Sequence, residues 1–371
     1  MKILIFTTAY FPMIGGAEVA IKEVTDRIPD VEFHLYCAKL QKDTKREERL
    51  GNVVVHRIGF GYPLDKLLFP IVAPFKALFL TKETTVTIWS VMASYGGFAG
   101  LILSWIKPAW KFVLTLQEGD PVERYEKHAG IFNGMRKKIF SEADQVHTIS
   151  RFLAAWAKSM GATHEPIVIP NGVDIPLFSQ RQDTGVREHI RETLELDNNA
   201  TVLVTASRLS HKNAIDDVIR ALPILPEDYA FLVLGTGEDE EMLTRLVHTL
   251  ALESRVIFKG SVDHKELSSL LKACDIFIRP SRSEGLGNAF LEAMVAGLPV
   301  IGTPVGGIPD FLLEGETGLF CEPDNSASIA DAVLKLQDTV LRDKMIDQGR
   351  KLVIQKYDWN IIADKMKAML I

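Results

Sequence analysis

Residues Asp275–Ala296, DIFIRPSRSEGLGNAFLEAMVA, contain the pattern that decides the fold of this chain. The apolar run Ile276–Arg279 has the length and composition of a buried strand. A turn with two glycines, Glu284–Gly287, follows it, and the spacing of apolar residues over Asn288–Ala296 then predicts a helix. Strand, turn and helix in this order are the repeating unit of an α/β domain.

The same alternation continues along the chain in both directions. The strand candidates are short, apolar and rich in β-branched residues, as buried parallel strands are. In the first half the predicted strands are Lys2–Thr8, Glu32–Ala38, Val53–Ile58, Val86–Trp89, Lys111–Leu116, Val146–Ile149 and Ile167–Ile169, and the helices include Ala17–Arg27, Gly97–Ile106, Phe132–Phe140 and Arg151–Met160. In the second half the strands are Thr201–Ala206, Ala230–Leu234, Val256–Lys259, Ile276–Arg279, Pro299–Gly302 and Gly318–Cys321, and the helices are Ala214–Leu222, Glu240–Leu252, Lys265–Ala273, Asn288–Ala296, Ala327–Leu336 and Val340–Gln355. The succession predicts two doubly wound, Rossmann-like α/β domains.

The boundary between the two domains is predicted near Pro170–Pro176, where an Asn-Gly turn is flanked by prolines. We expect an N-terminal domain at residues 1–172 and a C-terminal domain at residues 173–355, facing each other across a cleft. Ligands of open α/β sheets bind beyond the carboxyl ends of the strands. The functional residues should therefore lie in loops that follow strands.

The composition is that of an ordinary globular protein, with 371 residues of which 47% are hydrophobic and 24% charged. Three separated cysteines without a CxxC pair argue against a disulfide framework or a zinc site and favour a cytoplasmic location. Residues 1–175 hold 21 Lys and Arg against 18 Asp and Glu, and the remainder holds 21 against 30. A chain of net charge −6 is a poor general nucleic-acid binder, so no nucleic-acid partner is expected. The start, Met1–Phe6, is interpreted as a buried strand and not as a signal peptide.

Two cations follow the predicted strand Thr201–Ala206. Arg208 and Lys212 are four residues apart, so a guanidinium and an ammonium could meet on one anion. The alternative is a pair of solvated charges in a loop.

Two carboxylates bracket the glycine turn of the opening stretch. The start of a helix exposes free N–H groups that suit a phosphate, here from Leu286, Gly287 and Asn288, with Asn288 as the expected cap. Glu284 precedes this helix and Glu292 lies one turn inside it. Because acids repel phosphate, they are better placed to accept hydrogen bonds from hydroxyls on either side of a diphosphate. A nucleotide sugar has that pattern; the alternative is a surface acid and a helix-favouring acid.

Other glycine-containing loops also follow strands. Gly15 and Gly16 open the first helix and could present amides to an anion. Gly235-Thr-Gly237 is a weaker case, for which a simple tight turn is favoured, and Gly306-Gly307 would line the cleft. The acids at Glu238–Glu241 are interpreted as a solvated cluster at a helix start. Since no Asp-x-Asp follows a strand, no metal site is expected.

The most apolar surface candidate is Leu67–Leu80, which is too short to span a bilayer and contains two prolines and a lysine. A core-packing helix, the wall of an apolar groove and a helix in a membrane interface are all open interpretations. Together with the basic cluster Arg136–Lys138, it points to a carbohydrate or lipid-linked acceptor and to contact with the inner face of a membrane.

The ordered set of these motifs resembles retaining glycosyltransferases of family four. Glu284 and Glu292 form an E-x7-E motif, accompanied by Arg208 and Lys212, by Gly15-Gly-Ala-Glu18 and by Pro170-Asn-Gly-Val-Asp174. The resemblance covers essentially the whole chain and implies a GT-B fold, a metal-independent reaction without a cofactor, and a last helix, residues 356–371, that crosses back to the first domain.

The resemblance also implies roles for individual residues. Arg208 and Lys212 would bind the donor diphosphate and stabilise it as it leaves. Glu284 would bind the transferred sugar and Glu292 the ribose. Backbone amides of Gly15, Gly16, Leu286, Gly287 and Asn288 would assist at the diphosphate.

One position departs from the family pattern. Many relatives carry a histidine where this sequence has Gln117, after the strand Lys111–Leu116. Glutamine cannot act as a general base, so a positioning role near the donor is expected, with Glu118 or Asp120 supplying acid–base or orienting chemistry. The acceptor loops are expected at Gly59–Leu80 and Gln117–His128.

The sequence therefore predicts transfer of a sugar from a UDP- or GDP-linked donor to an acceptor hydroxyl, in synthesis of a cell-envelope polysaccharide or glycolipid. Two alternatives stay open: a sugar-nucleotide epimerase on the same fold, and a non-catalytic sugar-nucleotide-binding partner subunit.

Overall fold

The computed structural model describes residues 1–120, 133–181 and 183–371. The chain forms two compact units, one of Met1–Gly172 with Trp359–Ile371 and one of Val173–Asp358. The C-terminal segment that belongs to the first unit therefore begins at Trp359, three residues later than the expected 356. Residues 121–128 of the predicted acceptor loop, and Phe132 of a predicted helix, lie outside the described residues.

The first unit contains an eight-stranded sheet in the order β3-β4-β2-β1-β5-β6-β7-β8. All described neighbours are parallel except β3 and β4. The strand order reverses between β1 and β5, as in a doubly wound sheet. The strands are β1 Lys2–Phe6, β2 Glu32–Ala38, β3 Glu47–Leu50, β4 Val53–Ile58, β5 Val86–Val91, β6 Lys111–Leu116, β7 Gln145–Thr148 and β8 Ile167–Val168.

Strand β3 was not predicted. Its sequence, EERL, has no apolar alternation, because it is an edge strand that pairs on one side only, Glu48 opposite Val55. Its acids contact side chains of the neighbouring strand β4: Glu48 forms an ion pair with the buried Arg57 (2.6 Å), and Glu47 contacts His56 (3.1 Å).

Helices pack on the sheet of the first unit and bury their apolar stripes against it. The described helices are Gly16–Asp26, Asp65–Leu80, Tyr95–Ile106, Asn133–Ser141, Arg151–Ser159 and Trp359–Leu370. In Asp65–Leu80 the inner residues Phe69, Ala73 and Ala77 are fully buried. The core-packing interpretation of this segment is thus right for one side of the helix. In the part of the chain that the structure describes, no helix combines the length and the apolar character needed to cross a bilayer.

The second unit contains a six-stranded sheet in the order β11-β10-β9-β12-β13-β14, parallel throughout. Its order reverses between β9 and β12, so the predicted fold of two Rossmann-like units is confirmed. The strands are β9 Thr201–Ala206, β10 Tyr229–Leu234, β11 Val256–Gly260, β12 Ile276–Arg279, β13 Val300–Gly302 and β14 Leu319–Phe320. The helices are Ile175–Ser179, Val186–Thr193, Ile215–Ala221, Glu240–Thr249, His264–Ala273, Asn288–Ala296, Ser326–Lys335 and Thr339–Lys356.

The helix Val186–Thr193 was not predicted, because it is held in place by contacts of its own arginines with residues more than 80 positions later in the chain. Arg191 is 1% exposed, donates to Asp275 Oδ2 (2.7 Å) and to the carbonyl of Ala273 (2.8 Å). Arg187 donates to the other oxygen of Asp275 (2.6 Å). Both arginines hold the helix against the start of β12.

A chain of buried polar side chains crosses three strands of the first unit, β5, β6 and β7, and ends at the backbone directly after β8. Trp89 Nε1–H donates to Thr115 Oγ1 (2.8 Å), and Thr115 Oγ1 lies 2.9 Å from His147 Nδ1. His147 Nε2 lies 2.8 Å from the carbonyl of Ile169. A carbonyl only accepts, so a neutral His147 carries its proton on Nε2, and the hydrogen bonds then run in one direction from Trp89 to Ile169.

Candidate active site

Four loops of the second unit lie side by side at the carboxyl ends of β10, β9, β12 and β13, which are neighbours in the sheet in this order. They comprise residues 235–239, 207–214, 280–287 and 303–310. The strand order reverses between β9 and β12. In open α/β sheets the ligand binds at such a reversal, beyond the carboxyl ends of the strands.

Glycines allow the first two of these loops to touch. A Cβ on Gly235 would lie 2.0 Å from the carbonyl oxygen of Ser207, and one on Gly237 would lie 2.1 Å from that of Leu209. Gly235 also has φ +131°, a conformation that favours glycine. The segment Gly235–Gly237 therefore serves as a packing surface for the loop that carries Arg208.

The cationic loop is held by its own side chains and by the neighbouring loop. Asn213 Nδ2 donates to the carbonyl of Arg208 (2.7 Å). The backbone N–H of Arg282 donates to the carbonyl of Lys212 (2.7 Å). Arg208 is exposed and Lys212 is half-buried. The structure thus joins the backbone of Lys212 directly to the loop that carries Glu284.

Arg282 fastens these two loops together and was not identified from the sequence. Its guanidinium donates to Asp216 (3.0 Å), Asp217 (2.8 Å) and Asp324 (2.5 Å), and to the carbonyl of His211 (2.7 Å). Burial opposes the charge, but the hydrogen bonds that Arg282 donates to Asp216 and Asp324 raise its pKa above the usual value. The permanently charged side chain of Arg282 therefore fixes the positions of both loops.

Glu284 is oriented by an arginine at the end of the preceding strand. One carboxylate oxygen accepts a hydrogen bond from Arg279, and the other accepts from the N–H of Gly285 (3.0 Å). Arg279 is 6% exposed, and its guanidinium stacks on Phe290 at 5.0 Å from the ring centroid. Each carboxylate oxygen has a second lone pair, so Glu284 can still accept a hydroxyl hydrogen bond.

The backbone of Glu284 is held by the fourth loop. Gly307 N–H donates to the carbonyl of Glu284 (3.2 Å). Gly306 has φ +56°, and a Cβ there would lie 1.8 Å from the same carbonyl oxygen. The two glycines therefore position Glu284 by close approach.

The helix Asn288–Ala296 begins as predicted, but its cap differs. Gly287, at φ +103°, is the N-cap residue and Asn288 is the first helical residue, so the expected capping by Asn288 is wrong. A glycine is needed because this φ is strained for other residues. The backbone N–H groups of Leu286, Gly287 and Asn288, at the start of the helix, follow Glu284 within four residues of the chain.

Glu292 lies inside this helix with a side chain 13% exposed, and its carboxylate is 3.6 Å from His264 Nε2. Burial raises the pKa of Glu292, while His264 and Arg279 lower it. His264 was not identified from the sequence, because nothing in its local pattern relates it to Glu292.

In the first unit, Gly15 and Gly16 open the helix Gly16–Asp26 after β1, and Gly15 is its N-cap residue. The carboxylate of Glu18 lies at this helix start, because a Cβ on Gly15 would be 2.7 Å from Glu18 Oε2. Burial raises the pKa of Glu18, while the neighbouring backbone amides lower it. The predicted anion site at this helix start therefore already contains an acid of the chain itself.

Gln117 lies after β6 and pairs with Asn171 through two amide hydrogen bonds (3.0 and 2.9 Å). This reciprocal pair holds the amide of Gln117 in place, and its role near the donor stays a prediction.

Glu118 is 3% exposed and accepts from the N–H groups of Ala93 (2.6 Å) and Gln117 (2.8 Å). Burial raises the pKa of Glu118 to about 7, although these amides lower it. Asp120 is half-buried in the same loop. Glu118 therefore links the loops after β5 and β6, and its acid–base or orienting role stays a prediction.

Among residues 1–120, 133–181 and 183–371, no three His, Cys, Asp or Glu side chains come together as the ligands of a metal ion would.

Both units are similar in sequence and fold to known proteins. The profile of the glycosyl transferases group 1 matches residues 186–352, and that of glycosyltransferase family 4 matches residues 14–176. An uncharacterized glycosyltransferase of Methanocaldococcus jannaschii is 27% identical over 98% of this chain and 96% of its own length. A GDP-mannose-dependent α-(1-6)-phosphatidylinositol monomannoside mannosyltransferase of Mycobacterium tuberculosis is 32% identical over 60% of this chain and 59% of its own.

Solved structures show the same fold. Anabaena HepE, crystallised with UDP and glucose, has a TM-score of 0.82 and 20% identity over 100% of this chain and 99% of its own. Sucrose-phosphate synthase of Thermosynechococcus elongatus has a TM-score of 0.82 and 20% identity over 99% and 98%. Two Rossmann-like units of this kind define the GT-B fold class. The two matched profiles fix the family, and the chain belongs to family four of the glycosyltransferases, with the group 1 domain in its second unit.

Proposed function

We propose that this chain is a retaining glycosyltransferase that moves a sugar from a nucleoside diphosphate donor to an acceptor hydroxyl. One observation carries the proposal: at the β9–β12 reversal, the backbone of Lys212 is bonded to the loop that orients Glu284. Cations that can bind a diphosphate and an acid that can bind sugar hydroxyls are thereby held on neighbouring loops of the second unit.

The residues of the second unit divide the donor between them. Arg208 and Lys212 bind the diphosphate, and the amides of Leu286, Gly287 and Asn288 add hydrogen-bond donors. Glu284, held by Arg279, accepts hydroxyl hydrogen bonds of the transferred sugar, and Glu292 accepts those of the ribose. In the first unit, the proposal assigns the amides of Gly15 and Gly16 to the diphosphate, Gln117 to positioning of the donor, and Glu118 or Asp120 to acid–base or orienting chemistry.

In the proposed reaction the bond between the anomeric carbon and the diphosphate oxygen breaks first, giving an oxocarbenium-like state. The acceptor oxygen then bonds to the same face of the anomeric carbon, and its proton passes to the leaving phosphate oxygen. Cations and amides aimed at that oxygen stabilise the charge that develops on it. The configuration is retained without a covalent intermediate.

The proposed donor is a UDP- or GDP-linked sugar, and the proposed reaction needs neither metal nor cofactor. Two similar proteins support this range, since HepE was crystallised with UDP and the mycobacterial enzyme depends on GDP-mannose. The proposed acceptor is a carbohydrate or a lipid-linked sugar of a cell-envelope polysaccharide or glycolipid, as the mycobacterial relative uses a phosphatidylinositol monomannoside.

A thermal-shift screen with UDP-, GDP- and ADP-sugars tests donor binding, because a ligand that binds only the folded state raises the melting temperature. We expect one nucleotide class to raise the melting temperature, equally with and without EDTA.

Arg208→Ala should lower turnover about a hundredfold or more, because the negative charge on the leaving phosphate loses a cationic partner. Arg220→Ala, an exposed arginine of the same unit, is the matched control. Unchanged turnover in Arg208→Ala would contradict the proposal.

Product analysis by NMR separates the alternatives. Transfer yields a new glycosidic bond with the configuration of the donor. An epimerase would change the sugar without an acceptor, and a binding subunit would leave the donor intact.

A further inference from the structure

We propose that the outer side of the helix Asp65–Leu80, together with the turn before it, is a docking surface for an anionic lipid bilayer. The outer side consists of Leu67, Leu68, Ile71, Val72, Phe75 and Phe79, and we call it the apolar face.

The apolar face is exposed although it carries large hydrophobic side chains. Leu67 is 56% exposed, Ile71 58%, Phe75 56% and Phe79 86%. These four residues are spaced by four, so they form one ridge along the helix. The opposite side is also apolar and packs into the core, and Pro70 and Pro74 are buried with it. A helix that is apolar on both sides needs an apolar environment on its outer side as well.

The turn before the helix extends this surface. Phe60 is 66% exposed, Tyr62 51% and Leu64 71%. The buried carboxylate of Asp65 accepts hydrogen bonds from the N–H groups of Phe60 (2.6 Å), Gly61 (2.7 Å) and Tyr62 (3.0 Å). The aromatic side chains are therefore held outward by a fixed backbone.

Cations border the aromatic part of the surface. Lys42 Nζ lies 4.8 Å from the ring centroid of Tyr62, and the guanidinium of Arg46 lies 6.0 Å from that of Phe60. Residues 39–46 contain four Lys or Arg and one Asp, a net charge of +3. Basic groups beside exposed Phe and Leu match the headgroup and acyl layers of an anionic bilayer.

The dimensions fit a helix that lies in the interface. Sixteen residues make a helix of about 24 Å, and its two internal prolines and short length do not suit a span. Docking deepens the proposed function by bringing the enzyme to a lipid-linked acceptor. The docking proposal rests on the proposed function only for its biological role, because binding to a lipid bilayer does not require sugar transfer.

Vesicle co-sedimentation tests the apolar face. We expect the protein to bind vesicles of phosphatidylglycerol and phosphatidylcholine, and Phe75→Ser with Phe79→Ser to weaken binding about tenfold or more, because apolar burial is lost. The matched control is Val340→Ser with Ile354→Ser, two exposed apolar residues of the second unit, 79% and 42% exposed. The control should bind as the wild type does.

A second pair of variants tests the cations. Lys42→Ala with Arg46→Ala should weaken binding about thirtyfold, at roughly 1 kcal/mol per basic residue, and added salt should reduce the difference. Lys335→Ala with Lys351→Ala, exposed lysines of the second unit, should have no effect.

Three outcomes would overturn the docking surface. They are no binding to anionic vesicles, equal binding of the Phe75/Phe79 variant and the wild type, and a wild-type dimer that this variant converts to a monomer. Nucleotide-sugar thermal shifts of the same variants keep the two proposals apart. Lost vesicle binding with an unchanged shift supports docking, and an absent shift in all proteins contradicts the proposed donor instead.

Discussion

Arg279 and Glu284 form the ion pair at the centre of the candidate active site. Arg279 ends a buried strand, stacks on Phe290 and donates to a carboxylate that is itself only 17% exposed. A planar guanidinium can stack and donate at once, which an ammonium cannot. The orientation of Glu284 therefore depends on Arg279, which is a positioning residue.

Arg279→Met should separate sugar recognition from nucleotide recognition. We expect turnover to fall about tenfold to a hundredfold, because Glu284 loses the group that aims it at the sugar. Calorimetry should show weaker binding of the nucleotide sugar and unchanged binding of the nucleoside diphosphate alone, which Glu284 does not contact in the proposed complex. Arg279→Lys should restore part of the turnover. Equal weakening for both ligands would show a merely structural role.

The loop Gly306–Asp310 shows how an element holds a functional residue. A Cβ at Gly306 would overlap the carbonyl of Glu284, while the same addition at Gly315 would meet open space. Both glycines have similar backbone angles, φ +56° and φ +68°. The pair therefore separates backbone strain from close approach.

Gly315→Ala should lower the free energy of unfolding by about 1–2 kcal/mol, the cost of the left-handed conformation alone. Gly306→Ala should lower it further and reduce turnover, because the loop of Glu284 must move. Urea unfolding and a transfer assay of both variants provide the measurement. Similar stability and activity in the two variants would refute the positioning role of Gly306.

At the scale of the whole molecule, the first unit contains two buried groups with opposite responses to pH. Burial lowers the pKa of His147 to about 4, and burial raises the pKa of Glu118 to about 7. Between pH 4 and 6.5 the unfolded chain protonates His147 more readily than the folded one, so stability rises with pH. Between pH 4.5 and 7 the folded chain holds the proton of Glu118 more tightly, so stability falls with pH. Each group contributes about 3 kcal/mol, and the two nearly cancel between pH 4.5 and 6.5.

His147→Gln should expose the slope due to Glu118. We expect the stability of the first unit to fall from pH 4.5 to 7 in this variant by about 3 kcal/mol more than in the wild type. All five tryptophans, Trp89, Trp105, Trp110, Trp156 and Trp359, belong to the first unit, so their fluorescence during urea unfolding reports on it alone. Parallel pH profiles of the two proteins would show that His147 and Glu118 do not titrate as described.

The sequence predicted the bounds of strands and helices most accurately where an element is buried in a regular pattern. Strands β2, β4, β6, β9 and β12 and the helix Asn288–Ala296 were predicted with the bounds observed, because their apolar runs or periodicity reflect burial directly. The edge strand β3 and the helix Val186–Thr193 were missed. The first is polar on an open edge, and the second is fixed by the buried pair Arg191–Asp275.

The order of the loops along the chain, and so the candidate cations, acids and glycines, was fixed by the amino-acid pattern alone, since parallel strands send all their carboxyl ends to one edge. Only the tertiary structure decided which side chains meet. Arg279 with Glu284, Arg282 with its three aspartates, and Gln117 with Asn171 are paired by loop geometry and close backbone approach at glycines. Such pairings join residues up to 66 positions apart, as between Arg282 and Asp216, and hydrogen bonds at this range leave no periodic signal in a sequence.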